Sequence, residues 1–164
     1  MAVTAALAIG FGLAAIALAS AGDGDAAIFL ALGGYTLLLA FASLGLGFVI
    51  SALTPKGATA MGASLLLWLG LIFFGDLGLA GATLALRPTP AVLLSMLLIN
   101  PLQAFKLGAI YSLRSTLDTL GVVGQYAVYH FGAGLPFILT GLLVGWILLS
   151  FAIAFALFNR RGDR

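Results

Sequence analysis

Cysteine is absent from this chain, and charge nearly so. Without cysteine there is no disulfide, no iron–sulfur cluster and no thiolate metal site. One His and three Met are too few soft ligands for a transition-metal cage within the chain, so no cofactor is expected. Charged residues make up 7% of the sequence, where soluble domains run near 25%. With seven cations there is no basic patch and no aromatic–basic interleaving, which excludes nucleic acid as a partner. Cations are also missing from the start, since the first is Lys56. The small-residue stretch Ala17–Ala21 resembles a signal-peptidase site, but a signal peptide opens with a positively charged region. The opening segment therefore reads as a membrane span.

What fills the chain is hydrocarbon. The composition is 63% hydrophobic and the mean hydropathy is +1.23. From Ala26 to Pro55 no Asp, Glu, Lys or Arg occurs, and from Thr119 to Asn159 only the neutral-leaning His130 interrupts the run. A helix needs about 20 apolar residues to cross the ~30 Å hydrocarbon layer. These lengths specify an all-α polytopic transmembrane bundle, with residues 1–164 forming a single membrane domain. Four spans are expected, at about 2–20, 27–53, 60–84 and 135–158. The first two are separated by the acidic turn Ala21-Gly22-Asp23-Gly24-Asp25. The second is closed by Thr54-Pro55-Lys56-Gly57, where Pro55 disfavours helix at Thr54. The third ends before Arg87-Pro88-Thr89-Pro90.

Residues 91–131 are of another kind. Ala91–Ile99 is apolar but too short to cross. Asn100-Pro101 then reads as an N-cap followed by proline at the first helical position. From Leu102 the pattern turns amphipathic. Phe105, Ala109, Leu113 and Leu117 share one side, and Gln103, Lys106, Arg114 and Asp118 the other. Such a helix is expected to lie along the membrane surface. Val122–Phe131 carries Tyr126, Tyr129 and His130, residues at home at the interface. A fifth span built from this segment and the residues after it would demand a sharp break at Gly132–Pro136.

Four spans put both termini on one side with the Thr54–Thr59 loop. That side holds Lys56, Arg160, Arg161 and Arg164 on very short segments. The other holds Arg87, Lys106 and Arg114 on a long one, with acidic Asp23 and Asp25. Basic residues in short loops favour the cytoplasm. The expectation is a multi-pass protein of the inner (plasma) membrane with cytoplasmic termini and an external 91–131 segment.

Catalytic chemistry finds little support. There is no G-x-x-x-x-G-K-[ST] phosphate loop, and His130 has no nucleophile or acid paired with it by sequence. Asp76 is the one acid inside a span, where intramembrane aspartyl proteolysis needs two. The chain is not expected to be an enzyme. An acid within a span should face protein or water. Counted from Ala60, Asp76 lies in the outer half of its helix, within reach of Lys106, Arg114 or His130. These four residues are candidates for a gate or pathway, against the plainer reading of Asp76 as a structural hydrogen-bonded acid. Gly141-x-x-x-Gly145 and Ser43-x-x-x-Gly47 are small-xxx-small faces that permit close helix approach.

The order of features is similar to that of a known family. It comprises a helix pair, the turn Leu53-Thr54-Pro55-Lys56-Gly57, and a span containing Phe74-Gly75-Asp76-Leu77. Then come Leu97-Leu98-Ile99-Asn100-Pro101 with an amphipathic stretch, and a last span ending Phe158-Asn159-Arg160-Arg161. This resembles the C-terminal part of ABC-2-type transporter permeases, most of all the branch found with nitrous-oxide-reductase maturation, a copper-processing system. The resemblance implies a permease subunit that works with a separate cytoplasmic ATP-binding subunit and a second permease copy. It implies that Pro55 and Lys56 face the ATPase, and that 91–131 corresponds to extracytoplasmic helices. Members have about six spans, and the match begins at the third, so an N-terminally shortened permease is expected. Two other classes compete. A non-transporting membrane scaffold or anchor is one. A proton-coupled carrier working through Asp76 is the other, although it lacks a second membrane charge or an internal repeat.

Overall fold

The computed structural model describes residues 2–20, 26–86, 88–113 and 121–162. Over these every regular element is helical. α1 (Ala2–Ser20), α2 (Ala26–Leu53) and α3 (Gly57–Leu86) are followed by two short helices, α4 (Pro90–Ile99) and α5 (Pro101–Ser112). α6 (Gly121–Phe131), a 3-10 turn at Gly132–Gly134 and α7 (Leu135–Gly162) complete the bundle. α2, α3 and the run Gly121–Arg160 are each long and apolar enough to cross a membrane. α1, at 19 residues, lies near the lower end of the roughly 17–25 residues that suffice.

Prolines set the boundaries. Thr54 stops α2 by turning both its N–H and its hydroxyl onto the Ile50 carbonyl, ahead of Pro55. The link to α3 is only Thr54–Lys56, shorter than the expected loop, and Lys56 already supplies a carbonyl to the Ala60 N–H. Pro90 and Pro101 each occupy the start of a helix, where a missing N–H costs nothing.

α2 is the central element, packed against α1, α5 and α7. The buried cluster comprises Tyr35, Leu94, Ala104, Leu107, Ala127, Leu135, Leu139 and Leu143. Glycines let helices approach closely, Gly45 and Gly108 among them. A Cβ on Gly45 would collide with the Ser150 side chain on α7, and one on Gly108 would lie 2.7 Å from the Tyr35 ring. The small-residue faces picked out by sequence are not the ones used here. Gly47, Gly141 and Gly145 have open space where a Cβ would sit.

One further expectation is corrected, the side of α5 that packs inward. α5 packs against α2, α3 and α7, and its Ala104 is completely buried. Its inner face is Pro101, Gln103, Ala104, Leu107 and Gly108, not the Phe105–Ala109–Leu113 side. Phe105 and Ala109 are half-buried and Leu113 is exposed. The small side chains at 104 and 108 decide this, since they admit Tyr35 where bulkier residues could not. There is no sharp break at Gly132–Pro136 of the kind a fifth span would demand, in keeping with the four-span expectation. Gly132, at φ +48°, opens a 3-10 turn that carries α6 into α7, and the two form one helical run. α6 is thus an extension of α7, packed against α4, and not a fifth span.

Candidate functional site

α4 and α5 meet at Asn100 with a bend of 111°, the geometry of a broken span or a re-entrant loop. Asn100 performs two tasks there. Its side-chain oxygen accepts the Leu102 N–H at 3.0 Å, capping α5, and its Nδ2 donates to the Leu71 carbonyl of α3 at 2.6 Å. One turn along α3 from Leu71 stands Gly75, which is buried. A Cβ at Gly75 would strike Gln103 Nε2 and come within 2.9 Å of Asn100 Nδ2. Glycine here leaves room for the Asn100 and Gln103 amides to reach α3.

Beside Gly75, Asp76 is held by two residues of α5. Gln103 Nε2 donates to Oδ1 at 2.7 Å, and Lys106 Nζ lies 2.8 Å from both carboxylate oxygens. Gln103 and Lys106 are three residues apart, so one face of α5 presents both. The pair is half-exposed, with side-chain exposures of 39% for Lys106 and 50% for Asp76. Asp76 stands nineteen residues past Gly57, roughly 28 Å along α3. An acid in an apolar helix is stabilised by polar partners, and Gln103 and Lys106 supply them.

Of the residues singled out by sequence, the structure brings Asp76 and Lys106 together. His130 is elsewhere, at the end of α6, its ring stacked on Tyr126 (5.5 Å between centroids) and edge-on to Phe131. Arg114 lies outside the described residues, as do Asp118, Arg87 and the acidic turn at 21–25. Pro55 and Lys56 are exposed at the α2–α3 turn, the opposite end of α3 from the Asp76 cluster. Sequence reasoning missed Gln103 and Gly75 as parts of the site. The signal was present, because a span with one acid and a helix offering an amide and an ammonium three residues apart are complementary.

A cavity of about 640 Å³ opens next to this cluster, between α3, the α4–α5 elbow and Trp146 of α7. Its walls are apolar except at the end formed by the Asn100 and Gln103 amides. Among the described residues no group of three or more His, Cys, Asp or Glu gathers to hold a metal ion. The arrangement is a hydrogen-bonded clamp between two helices beside an apolar cleft.

A bundle of long apolar helices with an elbow clamped to its third helix suits a multi-pass membrane protein, and comparison with known proteins gives its family. The model of the ABC-2 family transporter proteins matches residues 1–162, and the chain belongs to that family. It is 30% identical over 164 aligned residues to the probable ABC transporter permease protein NosY of Stutzerimonas stutzeri. The alignment covers 93% of this chain and 57% of that protein, so the chain spans little more than half the length of its relative. No solved structure matches. The expected resemblance, NosY-type branch included, is therefore upheld, and this is a multi-pass membrane protein of a permease family.

Proposed function

We propose that this chain is a membrane-spanning permease subunit of an ABC-2-type transporter, working with a separate ATP-binding subunit and a second permease copy. It resides in the inner (plasma) membrane with both termini cytoplasmic. The observation that carries this reading is the family match along the chain, together with a sequence that has no phosphate-binding loop of its own. ATP hydrolysis then belongs to a partner.

In this reading the cytoplasmic end of α3 carries the Thr54–Lys56 turn, where exposed Pro55 and Lys56 meet the ATPase. The far end is clamped to the α4–α5 elbow by Asp76, Gln103, Lys106 and Asn100. α3 is a rod that joins the two, and it is the least embedded of the three candidate spans, with 6% of its most apolar stretch buried against 17% for the others. A push at the turn reaches the elbow without crossing the α2–α7 core. Asp76 and Lys106 are then the latch of an external gate.

The test is co-purification with the ATP-binding subunit and measurement of ATP hydrolysis in proteoliposomes. The chain should retain the ATPase and alter its turnover, Lys56→Glu should weaken retention, and Asp76→Asn should preserve assembly while uncoupling hydrolysis from the permease. A chain that purifies alone and leaves ATPase turnover unchanged is a scaffold or anchor instead.

A further inference from the structure

The cavity beside the clamp is large enough to hold a ligand. Its volume of about 640 Å³ falls within the roughly 300–1,000 Å³ of small-molecule pockets, and exposed apolar side chains such as Phe74 and Leu66 stand on its lining. Leu67, Gly70, Phe74, Gly78, Met96 and Trp146 contribute to the walls. Among the described residues Phe74 is left 82% and Met96 44% exposed. Water gains nothing by entering a cleft of this lining, since it would find partners only at the two amides. The polar end is the informative part. Gln103 lines the cleft and donates to Asp76, so the Asp76–Lys106 pair lies one hydrogen bond beyond the wall. Both charges are half-exposed, and an ammonium has three N–H donors, of which a carboxylate engages at most two in this geometry.

An apolar cleft that ends at two amides, with a carboxylate and an ammonium one hydrogen bond beyond them, is complementary to a molecule with an apolar tail and a zwitterionic head. The geometry points to a zwitterionic phospholipid bound here, one acyl chain in the cleft, its phosphate on Lys106 and its amine on Asp76. The site takes a resident lipid and does not depend on the transport reading.

The experiment uses the purified full chain in nanodiscs containing phosphatidylethanolamine with a photoreactive diazirine in one tail, followed by peptide mass analysis. Labelling is expected to concentrate on the peptides carrying Phe74 and Met96. Gly78→Leu fills the cleft, and because Gly78 has open space at its Cβ the change is accommodated by the fold. A leucine there displaces about two methylenes of the tail, each worth about fourfold, so labelling should fall roughly fifteenfold. Lys106→Gln should lower labelling by this probe two- to fivefold relative to a photoreactive diacylglycerol, the range of one partly exposed ion pair. Labelling spread evenly over all apolar faces and unmoved by Gly78→Leu overturns the site. An unchanged probe ratio in Lys106→Gln overturns the head-group assignment. Gly78→Cys in this otherwise cysteine-free chain gives a third outcome, since oxidative cross-linking to a second copy, without lipid labelling, means that protein fills the cleft.

Discussion

Gly75 and Gly78 lie one turn apart on α3 and should respond to the same substitution with opposite sign. Replacing glycine by alanine inside a helix stabilises by about 1 kcal/mol through helix propensity alone. At Gly78 nothing lies within 4 Å of the new methyl, so that gain should appear undiminished. At Gly75 the methyl enters the space of the Gln103 and Asn100 amides. These are the ends of flexible side chains, so the helices need not separate, but both amides must swing away. The bonds lost are Asn100 Nδ2 to the Leu71 carbonyl and Gln103 Nε2 to Asp76. Each is worth about 1 kcal/mol net, the second held to that value because Asp76 is half-exposed. The sum is a net loss of about 1 kcal/mol, so the two alanine variants should differ by about 2 kcal/mol. Unfolding in SDS, followed by circular dichroism and by Trp146 and Trp68 fluorescence, measures the difference. If Gly75→Ala proves as stabilising as Gly78→Ala, the seating of α5 on α3 is wrong.

Other perturbations test the remaining contacts. Gly108→Ala presses a methyl into the buried Tyr35 ring and should destabilise by about 1–3 kcal/mol, since a ring in a packed core has no room to yield. Leu139→Ala, at a side chain with no exposure, should cost about 2–5 kcal/mol in the same unfolding assay, with the cavity as cause. Breaking the clamp with Lys106→Met should leave secondary structure unchanged and increase protease access to the α4–α5 elbow, while the charge-reversed double variant Asp76→Lys with Lys106→Asp should restore protection. Single cysteines at Lys56 and Arg160 should react with a membrane-impermeant maleimide only from the cytoplasmic side, in inverted vesicles and not in intact cells. Labelling of either from outside contradicts the orientation.

The spans were legible because crossing a membrane is chiefly a matter of length without charge. Ala26–Leu53 and Gly57–Leu86 follow from the charge-poor runs and the proline between them, and their ends shift by only a few residues from expectation. Asn100-Pro101 announced the start of α5 for an equally local reason, a capping side chain before a residue with no N–H to offer. The face that α5 buries was not legible. Its apolar residues suit a membrane surface as well as a core, and hydrophobic pattern cannot separate hydrocarbon that is lipid from hydrocarbon that is protein. Steric fit decided it, through Gly108 against Tyr35. The same holds for the glycines. Sequence favoured those at i and i+4 on one helix, yet Gly45, Gly75 and Gly108 matter because of what stands opposite them.

The sequence by itself determined that this is an all-helical membrane protein, where its helices start and stop, and that Asp76 needs a polar partner. Those conclusions rest on local energies of transfer, capping and backbone geometry. Which partner Asp76 takes was decided only by the tertiary structure, because the 111° elbow at Asn100 brings Gln103 and Lys106 to α3 and leaves His130 stacked on Tyr126 at the end of α6. Reach along a helix limits the candidates, and only the crossing of two helices selects among them.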